Sequence, residues 1–253
     1  MWANVGIGPY GELFMDYSQF IPNIIEILEK YWRLFLLEGL KNTLILNCIS
    51  VTLGTVLGAF VALMRMSKLW ILRFLSSLYT EVIRGTPILL QLYIFYFVLP
   101  GLLPFLKLSQ FLWVSIALCV NSAAYVSEVI RSGIQAVDKG QTEAARSLGL
   151  SQGQTMARII LPQAVRNILP ALGNEFIMML KETSLASTFF LYDLMTVCNV
   201  VKGAEYLTLE PMTIVALIYL AITFPLSKLV GHFEKKMANP NSYRSHKKKE
   251  AKV

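Results

Sequence analysis

The sequence predicts an all-α membrane protein with about five transmembrane helices, an N-terminal interfacial helix and short cytoplasmic coupling helices. Of its 253 residues, 55% are hydrophobic and only 15% are charged, and the mean hydropathy is +0.54. A soluble domain normally carries roughly a quarter charged residues. Long apolar runs alternate with short polar segments, which is the pattern of a chain that crosses a bilayer several times.

Residues 1–37 are predicted to form an N-terminal extracytoplasmic or interfacial segment. Within it, residues 21–37 place apolar side chains at helical spacing, with the charged side chains elsewhere on the helix. This pattern predicts an amphipathic helix that lies in the membrane interface. The alternative is that the same helix extends the first transmembrane span.

Five apolar runs are predicted to cross the membrane. The first contains Ser50, Gly54, Gly58 and Ala62 at every fourth position, a small-residue ridge that predicts close packing against another helix. The predicted spans are residues 40–64, 87–103, 111–134, 168–187 and 211–230.

A polar stripe runs along the third span. Asn121, Tyr125, Glu128 and Ser132 recur at steps of four, three and four, so they share one helical face. An ionisable residue at this depth is costly and usually faces a bundle interior or an aqueous cavity. The stripe therefore predicts one wall of a substrate path, and an inter-helix hydrogen bond is the alternative.

The fourth span carries further polar side chains near its end. Lys181 and Glu182 point about 100° apart around the helix axis. Together they would suit a zwitterionic ligand, which presents a carboxylate and an ammonium group. We expect Met178 to add adaptable apolar lining, with core filling as the alternative, and Ser184 completes the predicted path.

A polar stretch at 143–162, EAARSLGLSQGQTMARIILP, separates the third and fourth spans. Asp138 is a predicted N-cap with Gln141 as its partner, and Ser151 with Gln154 forms a predicted capping box. Gly149 suits the left-handed position that ends a helix, and Pro162 is expected to stop the run. We predict two short helices joined by a tight turn outside the bilayer.

The distribution of basic residues predicts the orientation. Lysine and arginine number four in residues 65–84, five in 131–167 and eight in 228–253, whereas residues 1–37 hold more acids than bases. By the positive-inside rule, the N-terminus lies outside and the C-terminus inside. We expect a transmembrane domain over residues 38–234, with its coupling loop at 138–163, and a basic cytoplasmic tail at 235–253.

Several kinds of site are absent from the sequence. No G-x-x-x-x-G-K-[ST] loop is present, so we expect no ATP hydrolysis by the chain itself. The three cysteines have no paired spacing and indicate no metal site, and His232 and His246 lie near the tail. We therefore expect no catalytic residue, no metal and no directly bound cofactor. The net charge of +7 comes from basic residues that cluster in particular loops and in the tail. This distribution fits membrane topology better than binding to nucleic acid.

The polar stretch resembles the EAA loop of ABC importer permeases. The matching positions are Glu143-Ala144-Ala145, Gly149 and Ile159-x-Leu161-Pro162. The segment Glu81–Gln91 is similar to the signature of polar amino-acid permeases of this class. Two other readings of the stretch are an ordinary amphipathic linker and a DNA-binding helix-turn-helix, neither of which requires so many matched positions.

The resemblance implies a permease subunit that imports a polar amino acid across the bacterial cytoplasmic (inner) membrane. Its implied partners are a cytoplasmic ATPase dimer that uses ATP and magnesium, an extracytoplasmic substrate-binding protein, membrane lipid, and a second permease in a homodimer or heterodimer. The implied ATPase contacts are Glu143, Ala144, Ala145 and Gly149. A channel or scaffold without ATP coupling is the alternative, and an intramembrane enzyme lacks a nucleophile–base constellation.

Overall fold

The computed structural model describes residues 5–7, 13–15 and 17–237. Two three-residue strands near the start, Val5–Ile7 (β1) and Leu13–Met15 (β2), pair antiparallel with Val5 opposite Met15. All other regular structure in the described residues is helical, which confirms the predicted class. Most of the predicted basic tail, from residue 238 onward, lies outside the described residues.

Eleven α-helices follow one another in the described chain. They are α1 (Phe20–Arg33), α2 (Lys41–Arg65), α3 (Trp70–Gly85), α4 (Ile88–Tyr93), α5 (Leu99–Leu102), α6 (Gln110–Gln135), α7 (Lys139–Ser147), α8 (Gln152–Thr155), α9 (Leu161–Glu182), α10 (Leu194–Glu205) and α11 (Leu209–Met237). Segments of π-helix lie at Leu34–Leu40, Ile94–Val98 and Met156–Ile160, and 3₁₀ segments at Tyr17–Gln19, Pro104–Leu106 and Thr183–Phe189.

Three helices are long and apolar enough to cross a membrane by themselves: Phe20–Arg65, Gln110–Gln135 and Leu209–Met237. Two further pairs qualify together although each is bent at a short break. Trp70–Gly85 with Ile88–Leu102 bends by 106°, and Gln152–Phe189 with Leu194–Glu205 bends by 48°. Counting each bent pair as one span gives five, in agreement with the sequence prediction.

The N-terminal amphipathic helix is continuous with the first span. A π-helical segment at Leu34–Leu40 joins α1 to α2, so that a 46-residue helix runs from Phe20 to Arg65. The structure therefore matches the alternative in which this segment extends the span. That α1 lies in the membrane interface stays a prediction.

Residues 65–84, a base-rich segment outside the predicted spans, are largely helical. Helix α3 buries Ser76 and Thr80, and the Tyr79 hydroxyl donates a hydrogen bond to the Val120 carbonyl of α6 at 2.5 Å. The sequence alone does not predict a span here, because Arg73 and Arg84 interrupt the apolar run. The helix is amphipathic rather than uniformly apolar, so a span-length apolar pattern does not detect it.

Pro162 does not end its helix, contrary to the prediction. The Leu161 amide donates to the Met156 carbonyl, five residues earlier, in the π-helical segment that joins α8 to α9. This change of register places Pro162 in the first turn of a new α-helical segment, where its missing amide proton costs little. Helix therefore continues from Gln152 through α9.

The chain divides into two compact units. The first comprises residues 1–46 and 181–223, and the second comprises residues 47–180 and 224–253. In the first unit, α1 is joined to α10 by an ion pair between Lys30 and Glu205 at 2.7 Å. Its buried core consists of Ile27, Phe35, Leu194, Val197, Cys198, Val201, Ile214 and Val215.

In the second unit, the predicted small-residue ridge packs on α6. A Cβ atom at Gly54 would lie 2.7 Å from the Ser122 Cβ, and one at Gly58 would lie 2.8 Å from the Ala123 carbonyl oxygen. Both distances are too short for a real side chain, so the two helices approach as closely as they do because these positions are glycine. The packing prediction for the ridge is confirmed.

Candidate functional site

The break between α3 and α4 is held by a buried amide pair in the second unit. The Gln91 Nε2 atom donates to the Ile83 carbonyl at 2.7 Å and lies 2.9 Å from the Thr86 hydroxyl oxygen. Asn121 Nδ2 in turn donates to Gln91 Oε1 at 3.0 Å. Gln91 thus satisfies a carbonyl left unpaired where α3 ends, and Asn121, only 2% exposed, holds Gln91 in place.

Glu128 is the centre of an ion-pair cluster. Its Oε2 accepts a hydrogen bond from Arg65 Nη1 at 2.5 Å and from Arg131 Nε at 3.2 Å, and its Oε1 accepts from Arg131 Nη2. Arg84 Nη1 lies 3.9 Å from Oε2. One carboxylate therefore links α2, α3 and α6. Glu128 is one of the predicted path residues, and its three arginine partners were not predicted from the sequence.

A cavity of about 370 Å³ opens beside this cluster. Three members of the predicted stripe line it, namely Tyr125, Glu128 and Ser132. The Arg84 guanidinium lies 5.5 Å from the centre of the Tyr125 ring, within the range of a cation–π contact. The fourth member, Asn121, does not line this cavity and instead makes the hydrogen bond to Gln91.

A second cavity of about 530 Å³ adjoins the first, because the two share Ala136, Asn167 and Ala171. Its wall is more polar and includes Asp138, Gln141, Gln163, Arg166, Asn174 and Glu234. The two cavities together follow α6 and α9 from the arginine cluster towards the polar stretch after α6. Sequence reasoning did not identify this second cavity.

The remaining residues of the predicted path lie on and just after α9. Met178 is 45% exposed. Lys181 is exposed, while Glu182 and Ser184 are half-buried, and these three belong to the first unit. The structure thus brings Tyr125, Glu128 and Ser132 together around one cavity, and the remaining residues stay a prediction.

The polar stretch folds as two helices about a glycine turn, as predicted. Asp138 caps α7 by accepting from the Gly140 amide at 2.6 Å, without the predicted box to Gln141. Gly149 has a φ of 84°, the left-handed conformation that favours glycine. Ser151 and Gln154 form the predicted capping box at the start of α8.

Exposure differs along the predicted ATPase contact. Glu143, Ala144 and Gly149 are exposed, whereas Ala145 is buried against its own chain with 4% exposure. Leu148, which the sequence analysis passed over, is 83% exposed beside the glycine turn. An apolar residue next to a turn glycine in an otherwise polar stretch is the signal that would have found it.

The described residues contain no group of three or more His, Cys, Asp or Glu side chains placed to hold a metal ion. Cys48, Cys119 and Cys198 are free thiols. The ionisable chemistry of the site therefore consists of the arginine–glutamate cluster. Such a cluster can orient a charged ligand but contains no nucleophile–base pair.

Comparison with known proteins finds relatives that are all components of transport systems. Residues 54–239 match the family of binding-protein-dependent transport system inner membrane components. The arginine transport system permease protein ArtQ of Bacillus subtilis is 41% identical over 88% of this chain and 97% of its own. A Rickettsia bellii protein named GlnP, as a glutamine transport permease, is 42% identical over 81% of this chain and 93% of its own.

Solved structures agree with this grouping. A chain in the crystal structure of an amino acid ABC transporter with histidines is 45% identical, with a TM-score of 0.78, and the match covers 86% of this chain and 98% of that one. A chain of the MetNI methionine ABC transporter, 17% identical with a TM-score of 0.67, shares the fold. The chain therefore belongs to the family of binding-protein-dependent transport system inner membrane components, and within it to the permease subunits of amino-acid ABC importers.

Proposed function

We propose that this permease is driven by a cytoplasmic ATPase that docks on the α7–Gly149–α8 turn. The observation that carries the proposal is a capped helix pair about a left-handed glycine, which exposes Leu148 outside the apolar helices. Both helices begin with a side-chain cap, and the Arg146 Nη1 donates to the Leu150 carbonyl across the turn at 2.7 Å.

Leu148 supplies the apolar centre of the proposed docking surface. A leucine side chain that is 83% exposed gains about 1.5–3 kcal/mol when it is fully buried in a partner's groove. Glu143 and Ala144 flank it as a charged and a small contact. Ala145 is buried, so its proposed role is to position α7 by packing against its own chain.

The proposed substrate is a polar amino acid, delivered from outside by a binding protein. Two relatives more than 40% identical are named for arginine and glutamine transport, and these two amino acids are the first candidates. We propose that the path passes Asn121, Tyr125 and Glu128. Met178, Lys181, Glu182 and Ser184 are proposed as further substrate contacts.

Membrane orientation and assembly complete the proposal. The N-terminus lies outside and the C-terminus inside, since the base-rich segments lie on the side where the ATPase docks. A second permease subunit, identical or similar, pairs with this one above an ATPase dimer that uses ATP and magnesium. No nucleic acid takes part.

Uptake by the reconstituted complex tests this function. Proteoliposomes that hold the permease and its ATPase are given binding protein and labelled L-glutamine or L-arginine, with and without internal ATP. We expect uptake only when ATP and binding protein are both present. Uptake that proceeds equally without ATP would indicate a channel and would refute the coupling proposal.

The docking surface has a test of its own. We expect Leu148→Asp to weaken retention of the ATPase by the permease roughly 30-fold, the size of a 2 kcal/mol interface hot spot. Leu148→Met, which stays apolar, is the matched control and should retain the ATPase. Since Leu148 is exposed, neither change should alter the thermal stability of the isolated permease. Equal retention by both variants would place the docking surface elsewhere.

A further inference from the structure

Arg84 is the one arginine of the Glu128 cluster that has no hydrogen bond to the carboxylate. Arg65 donates to Glu128 Oε2, and Arg131 donates to both carboxylate oxygens, whereas Arg84 Nη1 remains 3.9 Å from Oε2. The first two side chains are 15% and 29% exposed, and that of Arg84 is 43% exposed. Two arginines therefore form the hydrogen bonds to the Glu128 carboxylate, and the positive charge of the third arginine, Arg84, is not neutralised by a bonded partner within the cluster.

The free end of Arg84 faces a space in which a ligand fits. Arg84 lines the cavity of about 370 Å³, which lies within the size range of small-molecule sites. The Tyr125 ring orients the guanidinium from one side. Glu128 also lines the cavity, with its carboxylate held by Arg65 and Arg131. Ser132 and Asn167 add neutral polar groups, and the rest of the wall is apolar or glycine: Val129, Gly133, Ala136 and Ala171.

We propose that Arg84 binds the carboxylate of the transported amino acid in this cavity, an inference that rests on the proposed import function. A guanidinium presents two parallel donors that match a carboxylate, and this geometry is stronger than a single contact. The excess positive charge also repels an ammonium group or a cationic side chain. The substrate's carboxylate end therefore points towards Arg84, with its side chain along the apolar wall.

Specific binding of the carboxylate can be measured without transport. The purified permease–ATPase complex is dialysed to equilibrium with labelled L-glutamine and, separately, L-arginine. Each is competed by the unlabelled amino acid and by its analogue in which the α-carboxylate is an amide. We expect the wild-type complex to prefer the acid over the amide about tenfold or more, the ratio for a charge-assisted hydrogen bond.

Three variants isolate Arg84. Arg84→Gln should lower affinity for the acid at least tenfold and remove the preference for acid over amide. Arg84→Lys keeps the charge but loses the paired donors, so its preference should be intermediate. Arg73→Gln changes an exposed arginine of the same helix that does not line the cavity, and should behave as wild type.

The preference ratio decides the outcome. An unchanged ratio in Arg84→Gln overturns the proposal and leaves Arg84 as an interfacial anchor. If that variant does not assemble with the ATPase, the ratio in Arg84→Lys decides in the same way, since a wild-type ratio there also overturns it. Failure of the wild-type complex to bind either amino acid would overturn this proposal alone, because the proposed import function is decided separately by ATP-dependent uptake in proteoliposomes.

Discussion

Replacing Gly149 with valine tests whether the glycine turn transmits the ATPase's motion. Gly149 has a φ of 84°, and a Cβ built there meets no atom within 4 Å. The cost of a side chain is therefore backbone strain alone, without any steric clash. For an L-residue in the left-handed region this cost is about 1–2 kcal/mol, and a β-branched residue lies at the high end.

That strain should change the turn without unfolding the protein. A penalty of 1–2 kcal/mol shifts a two-state equilibrium by about 5–30-fold, so the turn spends less time in the geometry that docks. We expect ATP-dependent uptake in proteoliposomes to fall by a similar factor, while the amount of protein inserted in the membrane stays the same. Basal ATP hydrolysis by the complex is recorded alongside, to separate lost coupling from lost assembly.

Gly153→Val is the matched control. Gly153 lies four residues away in α8, also meets no atom within 4 Å and has no left-handed φ. Valine is a slightly better helix residue than glycine, so this change should leave uptake intact. Equal uptake by the two variants would refute the role given to the Gly149 conformation, and equal loss would show that any added side chain here disturbs docking.

Three more predictions concern stability. Glu128→Gln leaves two bonded arginines without their counter-charge and should lower the free energy of unfolding by about 3 kcal/mol. We expect a lower melting temperature in detergent for this variant and an unchanged one for Glu143→Gln, which alters an exposed site. Equal melting temperatures for the two variants would contradict the stabilising role of the cluster. Gly58→Ala forces a methyl group against α6 and should cost about 1–3 kcal/mol. Gly203→Ala in α10, where a Cβ meets no atom, should instead be neutral or stabilising by up to about 1 kcal/mol in the same assay. Ser151→Ala removes the capping box and should lower the local stability of α8 by about 1 kcal/mol. The backbone amides of α8 should then exchange hydrogen about fivefold faster, and unchanged exchange would contradict this prediction.

The span pattern and the glycine turn were predictable because both follow from local rules. Spans follow from apolar length, and the Gly149 turn and the Ser151 cap follow from conformational preferences of single residues. The ridge at Gly54 and Gly58 was readable as packing, although its partner helix was not. These features depend on neighbours along the chain, which a sequence displays directly.

Contacts between distant residues were the part that sequence reasoning missed. Asn121 was assigned to the substrate path from its helical face, but its partner Gln91 lies 30 positions earlier and became visible only in the fold. The same holds for Arg65 and Arg84 at Glu128, which come from two other helices. Pro162 was misjudged because a π-helical turn, which has no sequence signature as clear as a glycine or a cap, absorbs the proline.

Because Pro162 does not end the helix, α8 and α9 form one continuous helical segment. From Gln152 to Leu180 the backbone stays helical, which is about 43 Å of helix at 1.5 Å per residue, with Pro170 inside it. Had Pro162 ended the helix, the joint would have acted as a hinge and dissipated a push from below. Because it does not, a tilt of α8 is carried along one continuous backbone towards Leu180, and Pro170 is the position inside α9 at which this helix can bend.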